Sequence, residues 1–141
     1  MPFVLKARVY QKSTKSYFRI VEQAIFYKNN GGTWGESDGA LTLTVNGENS
    51  DGMLRFQTQD GKERFTVVLG VFQQKVWVHI IPDITSSETC VNLLPLYHDG
   101  GKYANIDLVP SYEVKNSSGR NLSVAVKEYD GWNYDLDIVI G

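Results

Sequence analysis

Cysteine is nearly absent: Cys90 is the only one in 141 residues. That excludes an intrachain disulfide and points to a reducing compartment. Histidine is almost as rare, with only His79 and His98. The spacing from Cys90 to His98 matches no zinc pattern, so no metal site is expected. Charge of one sign is lacking as well. The 14 Lys and Arg stand against 16 Asp and Glu, for a net charge of −2. No Lys/Arg run occurs, which excludes the concentrated basic face of a general nucleic-acid binder. No stretch approaches the roughly 20 apolar residues of a membrane span. The opening Met-Pro-Phe-Val-Leu-Lys-Ala-Arg has no basic segment followed by an apolar one, so no signal peptide is read and a cytoplasmic chain is expected. Fixed-period repeats and low-complexity tracts are missing too, and the length predicts one domain over residues 1–141.

Catalytic patterns are equally scarce. The glycine-rich pieces Asn30-Gly-Gly-Thr-Trp and Asp99-Gly-Gly-Lys lack phosphate-loop and dinucleotide fingerprints, so no cofactor is expected. Asp135 and Asp137 share one face of a predicted strand, but they read as a solvated face opposite Leu136 and Ile138. Cys90 reads as a small packed residue. No set of residues assembles a catalytic constellation, and an enzyme is not expected.

What the chain has is aromatic and glycine content, with eight Tyr, 13 Gly and 12% aromatics, a composition that favours strands and turns. Phe3, Leu5, Ala7 and Val9 alternate with Lys6 and Arg8, the period of a half-buried strand. Arg19 to Tyr27 reads as a second strand stopped by Asn29-Asn-Gly-Gly. Leu41, Leu43 and Val45 should point inward, with Thr42 and Thr44 outward, before a turn signal at Asn46-Gly47. Further strands are predicted from Met53 to Thr58, Phe65 to Val71, Lys75 to Ile81, Ser111 to Lys115, Asn121 to Tyr129 and Tyr134 to Ile140. Gln73-Gln74 should form a turn. Residues 82–110 break the pattern, with a short helix starting near Ser86-Ser87-Glu88-Thr89 and a loop at His98-Asp-Gly-Gly-Lys. The expected fold class is all-β with minor helix, an antiparallel sandwich.

Loops between these strands place planar polar groups beside aromatics: Asn29 and Asn30 near Trp34, then Asn46, Glu48 and Asn49, then Gln73 and Gln74 near Trp77. Sugar recognition needs such pairings, with amides and carboxylates for hydroxyls and a ring for the C–H face. Turns also use Asn and cores also use Trp, so Trp34 and Trp77 read equally as core or interface residues.

Ordered pieces along the chain carry a resemblance. They include Arg8-Val-Tyr-Gln11, Asn30-Gly-Gly-Thr-Trp34, Gly52 with Leu54-Arg-Phe56, Lys75 with Trp77, Tyr112-Glu-Val-Lys-Asn116, Gly119-Arg120 and Ile138-Val-Ile-Gly141. In order and spacing these resemble the fungal fruit body lectins that recognise the Thomsen–Friedenreich disaccharide. The resemblance implies an actinoporin-like sandwich whose two sheets are joined by a helix-loop-helix, assembled as a homotetramer. It also implies a galactose-type site at Asn29, Glu48, Asn49 and Gln73. Glu48 and Asn49 stand where the family usually has Ser and Gly, and Gln73 where it has Asn. A second, N-acetylglucosamine-type site falls on His79, Ile80, Pro82, Lys102 and Tyr112. There the family's Asp, Thr and Arg are replaced, so that site is expected to be lost or altered.

The reading that follows is a non-catalytic, multivalent lectin for glycans on glycoproteins or cell surfaces. An actinoporin-like membrane-active protein is the first alternative. The chain begins directly in a strand, without the amphipathic helix that insertion requires, so no membrane insertion is expected. A storage or structural protein with decayed sugar sites is the second.

Overall fold

The computed structural model describes residues 2–26 and 31–141. Ten strands run in chain order: β1 (Phe3–Gln11), β2 (Phe18–Phe26), β3 (Gly32–Ser37), β4 (Ala40–Val45), β5 (Ser50–Thr58), β6 (Arg64–Phe72), β7 (Lys75–Ile81), β8 (Ser111–Lys115), β9 (Asn121–Asp130) and β10 (Asn133–Ile140). A one-turn helix α1 (Cys90–Leu93) and a 3-10 turn (Leu94–Tyr97) lie between β7 and β8. The strands form a six-stranded sheet, β3-β4-β1-β10-β9-β8, and a four-stranded sheet, β2-β5-β6-β7.

The predicted sandwich is therefore present, and the alternation read from sequence builds it. Phe3, Leu5 and Ala7 of β1 and Leu41, Leu43 and Val45 of β4 are all buried. They meet Leu54, Phe56, Phe65, Val67 and Leu69 of the opposite sheet. Burying each side chain of this size is worth roughly 1.5–3 kcal/mol. Phe65 anchors the contact, stacked on Phe56 at 4.8 Å and edge-on to Phe18 at 5.3 Å. At one end the sheets are stitched by Arg120, whose guanidinium donates twice to Glu63 at 2.8 Å. This fork holds the Glu63 carboxyl below its ordinary range.

The structure departs from expectation in four places. One neighbouring pair is parallel: β1 runs alongside β10 in the same direction, Leu5 beside Tyr134. β1 and β10 thus form the central pair of the larger sheet. A strand the sequence did not announce, β3, pairs with β4. Thr33, Gly35, Glu36 and Ser37 are exposed and only Gly32 and Trp34 are half-buried, so this edge strand carries little apolar signal. The helical segment begins at Cys90, with Thr89 capping it through Asn92 N–H at 3.4 Å. Its 3-10 turn follows directly, where a loop between two helices was expected.

The segment between β7 and β8 joins the two sheets, as expected, and its residues 84–97 cover the outer face of the four-stranded sheet. Ile84, Cys90, Leu93, Leu94 and Tyr97 pack there on Met53, Val68, Trp77 and Ile81. The smaller sheet is consequently buried on both faces. Cys90 is wholly enclosed, and burial pushes its thiol up to about 12, which leaves it protonated and inert, as a packed residue should be. Asp135 is exposed and Asp137 half-buried, opposite the buried Leu136 and Ile138, as expected of a solvated strand face.

Candidate carbohydrate site

The turn between β6 and β7 sets the geometry of the site. Gln73 and Gln74 take φ of 51° and 64°, the left-handed pair that a tight two-residue hairpin requires. It sends β7 straight back along β6 and puts Trp77 opposite Gly70. Any Cβ on Gly70 would fall inside the Trp77 indole. The bare backbone there lets the ring lie down on the sheet. Trp77 is 5% exposed and forms the floor of a cleft.

Tyr97, His98 and Tyr103, from the segment that crosses the outer face, wall this cleft, and Asn49 closes its other side. Asn49 is fixed by its own N–H, which donates to the Val71 carbonyl at 2.9 Å. The cleft encloses about 110 Å³, room for one sugar ring at most. Phe72 and Leu108, 38% and 46% exposed, extend it outward as an apolar rim.

A second cleft lies beside the first, lined by Phe3, Asn46, Gly47, Glu48, Gln74 and Trp132. The sequence-predicted galactose-type residues are thus divided. Asn49 faces the tyrosine-walled cleft, Glu48 faces the Trp132 cleft, and Gln73 is exposed on the turn and lines neither. Gln74 takes the place beside Glu48 that was expected of Gln73. Asn29 lies outside the described residues.

Of the second set, His79 and Tyr112 come together with ring centroids 4.6 Å apart. Tyr103 and Tyr97 also approach His79, each at 5.5 Å. Burial lowers the His79 imidazole to about 4 and pushes the Tyr97 hydroxyl up. The ring is therefore neutral and the phenol protonated, and His79 Nδ1 and the Tyr97 hydroxyl share a hydrogen bond at 2.6 Å. Lys102 places its ammonium 5.4 Å from the Tyr103 ring centre. Ile80 turns the other way, into the core between the sheets, and Pro82 follows the end of β7. Tyr97 and Tyr103 belong to both groups, stacked on each other at 5.0 Å. The tyrosine-walled cleft and the His79 group therefore share a wall.

Sequence reasoning missed Tyr97, His98 and Tyr103, because the segment holding them has no strand or helix period. It also missed Asp51, which lies beneath His98: His98 Nε2 and Asp51 Oδ2 are 2.7 Å apart. Asp51 lies within a run of buried residues, Ser50 to Leu54. A carboxylate just ahead of the predicted strand from Met53 was the available signal.

This architecture is that of a known class. A family model for fungal fruit body lectins matches residues 1–138, and the chain belongs to that family of carbohydrate-binding proteins. It is 31% identical to Boletus edulis lectin, across 99% of each chain. Among solved structures it is similar to wild-type Xerocomus chrysenteron lectin, with 32% identity, a TM-score of 0.95 and 100% of each chain covered. A variant of that lectin with three methionine substitutions gives 33% identity and the same TM-score, covering 100% of this chain and 99% of that one.

Proposed function

We propose that the protein is a non-catalytic lectin for galactosyl and N-acetylgalactosamine glycans of the Galβ1-3GalNAc type, held in the cleft beside Asn49. One observation carries this reading: Trp77, Tyr97 and Tyr103 converge with a fixed asparagine in a single opening. Rings of this kind take the C–H face of a sugar, while the Asn49 amide can both donate to and accept from hydroxyls. The exposed Phe72 and Leu108 would support the next unit of the glycan. Glu48 and Gln74 on the neighbouring cleft would reach a longer chain.

The His79–Tyr112 group is proposed as a second saccharide contact of altered specificity. It has an aromatic surface and a lysine, without the planar fork of an arginine for adjacent hydroxyls. Weak sites of this type gain avidity by multiplication, so a homotetramer is proposed, acting from the cytoplasm of the fungal cell in defence. A glycan array with the purified protein tests the reading. Retention on galactosyl or N-acetylgalactosaminyl glycans is expected, and silence across every such glycan at high density would refute it. Sedimentation at micromolar concentration tests the assembly, with a tetramer expected and a monomer contradicting it.

A further inference from the structure

His98 is built into the cleft more expensively than a lining residue needs to be. It is 8% exposed, and its ring lies flat against Phe26, with centroids 4.0 Å apart and planes at 16°. Its Nε2 meets Asp51 Oδ2 at 2.7 Å, and Asp51 is 1% exposed. The other carboxylate oxygen, Oδ1, is buried without a partner among the described residues. Burying a carboxylate that is only half satisfied costs stability, and apolar side chains of similar size would avoid that cost. The arrangement therefore asks for an explanation outside packing.

The hydrogen-bond roles supply one. With Asp51 ionised, its carboxylate can only accept, and the hydrogen that joins it to His98 lies on Nε2. In the neutral ring Nδ1 is then a bare acceptor. Among the described residues no partner faces it, although the ring borders the cleft. The stack on Phe26 and the bond to Asp51 fix both the plane and the tautomer, so this acceptor is set before any ligand arrives.

We propose that His98 is a specificity-determining residue of the carbohydrate cleft, its Nδ1 accepting a hydrogen bond from one hydroxyl of the bound sugar, with Asp51 as the positioning residue that fixes the tautomer. The inference rests on the reading of this cleft as the saccharide site. It adds the group that selects one orientation of a hydroxyl over another. Aromatic walls and an amide tolerate several hydroxyl arrangements, whereas a single fixed acceptor does not.

The test uses the intact protein, with histidine labelled in its ring nitrogens, titrated with methyl β-galactoside, N-acetylgalactosamine and the Galβ1-3GalNAc disaccharide. The expected result is a displaced Nδ1 resonance of His98 on saturation, with Nε2 still protonated. A set of monodeoxy galactosides should contain one member that binds the wild type about tenfold more weakly, the size of one lost hydrogen bond. In the paired variant Asp51→Asn, His98→Phe, which keeps a ring on Phe26 and leaves no buried charge, that penalty should vanish. Should none of the three saccharides bind the wild type, the reading of the cleft and this inference fail together. Saccharide binding with an unmoved Nδ1 resonance would overturn the inference alone. The resonance is read on the wild type, so its outcome counts whether or not the variant folds.

Discussion

The two faces of the β2-β5-β6-β7 sheet are made from the same strands and have opposite characters. Toward the larger sheet, Leu54, Phe56, Val67, Leu69, Val78 and Ile80 form a closed apolar layer. Toward residues 84–103, Met53, Val68 and Ile81 share their face with Asp51, Thr66 and His79, and His98 of the covering segment meets them, all buried. The inner face is a solution to a packing problem. The outer face carries polar groups that cost stability, two of them with an atom lacking a partner among the described residues, Asp51 Oδ1 and Thr66 Oγ1. This contrast shows where the fold keeps its buried polar groups: over one sheet, beneath a covering segment, and away from the core that holds the sandwich together.

The largest expected effect breaks the inner face. Leu43 is wholly buried between the sheets, so Leu43→Ala should cost about 2–5 kcal/mol in denaturant unfolding. Glycan affinity of the molecules that remain folded should not change. An affinity loss without a stability loss would reverse the assignment of the two faces.

Acid should attack the outer face. The unfolded His79 ring takes a proton below its ordinary 6.5, and the folded ring only near 4. Across that window the unfolded state binds more protons, so stability falls as pH falls, by about 2 kcal/mol between pH 6.5 and 4.5. The groups around the ring are the hydroxyls of Tyr97, Tyr103 and Tyr112, with Lys102 beyond Tyr103. In His79→Gln that share of the acid loss should disappear; an identical pH profile in variant and wild type would contradict the neutral buried ring.

Gly70→Ala probes the contrast more finely, because it touches the outer face through one methyl group. The new Cβ collides with the Trp77 indole. The ring must lift off the sheet, at about 1–3 kcal/mol of stability. Glycan affinity should fall as well, since the floor of the proposed cleft moves. Tryptophan fluorescence reads the displacement, and an unshifted spectrum with full affinity would show that Trp77 does not floor the site.

The smallest effect is at the turn. Gln73 holds a φ of 51°, which glycine adopts without strain. Gln73→Gly should stabilise the protein by about 0.5 kcal/mol. Because the side chain lines neither cleft, affinity for short glycans should change less than threefold. A larger loss would mean that a bound sugar reaches the turn.

Much of the frame was legible in the sequence. Alternation, β-branched and aromatic content and turn signals together located nine of the ten strands, with β3 lost because its residues largely face water. It also turned Leu41, Leu43 and Val45 inward, since a strand with one buried face has no freedom to choose otherwise. Ordered family pieces pointed to the class of protein. The candidate site was less legible. Asn49 and Glu48, adjacent in the sequence, line two different clefts, a division that strand alternation does not encode. Tyr97, His98 and Tyr103 carried no signal, lying in a segment whose conformation follows from what it covers.

Local sequence was enough to set the strands, their inward and outward faces, and membership of a lectin family, because these depend on alternation and on ordered short pieces. Only the assembled fold settled that β1 and β10 pair in parallel, that Tyr97 and Tyr103 serve two neighbouring groups, and that Asp51 and His98 meet across 47 residues. Such contacts are set by how a covering segment docks on a finished sheet. No local propensity encodes that step, which is governed by the summed packing of both surfaces.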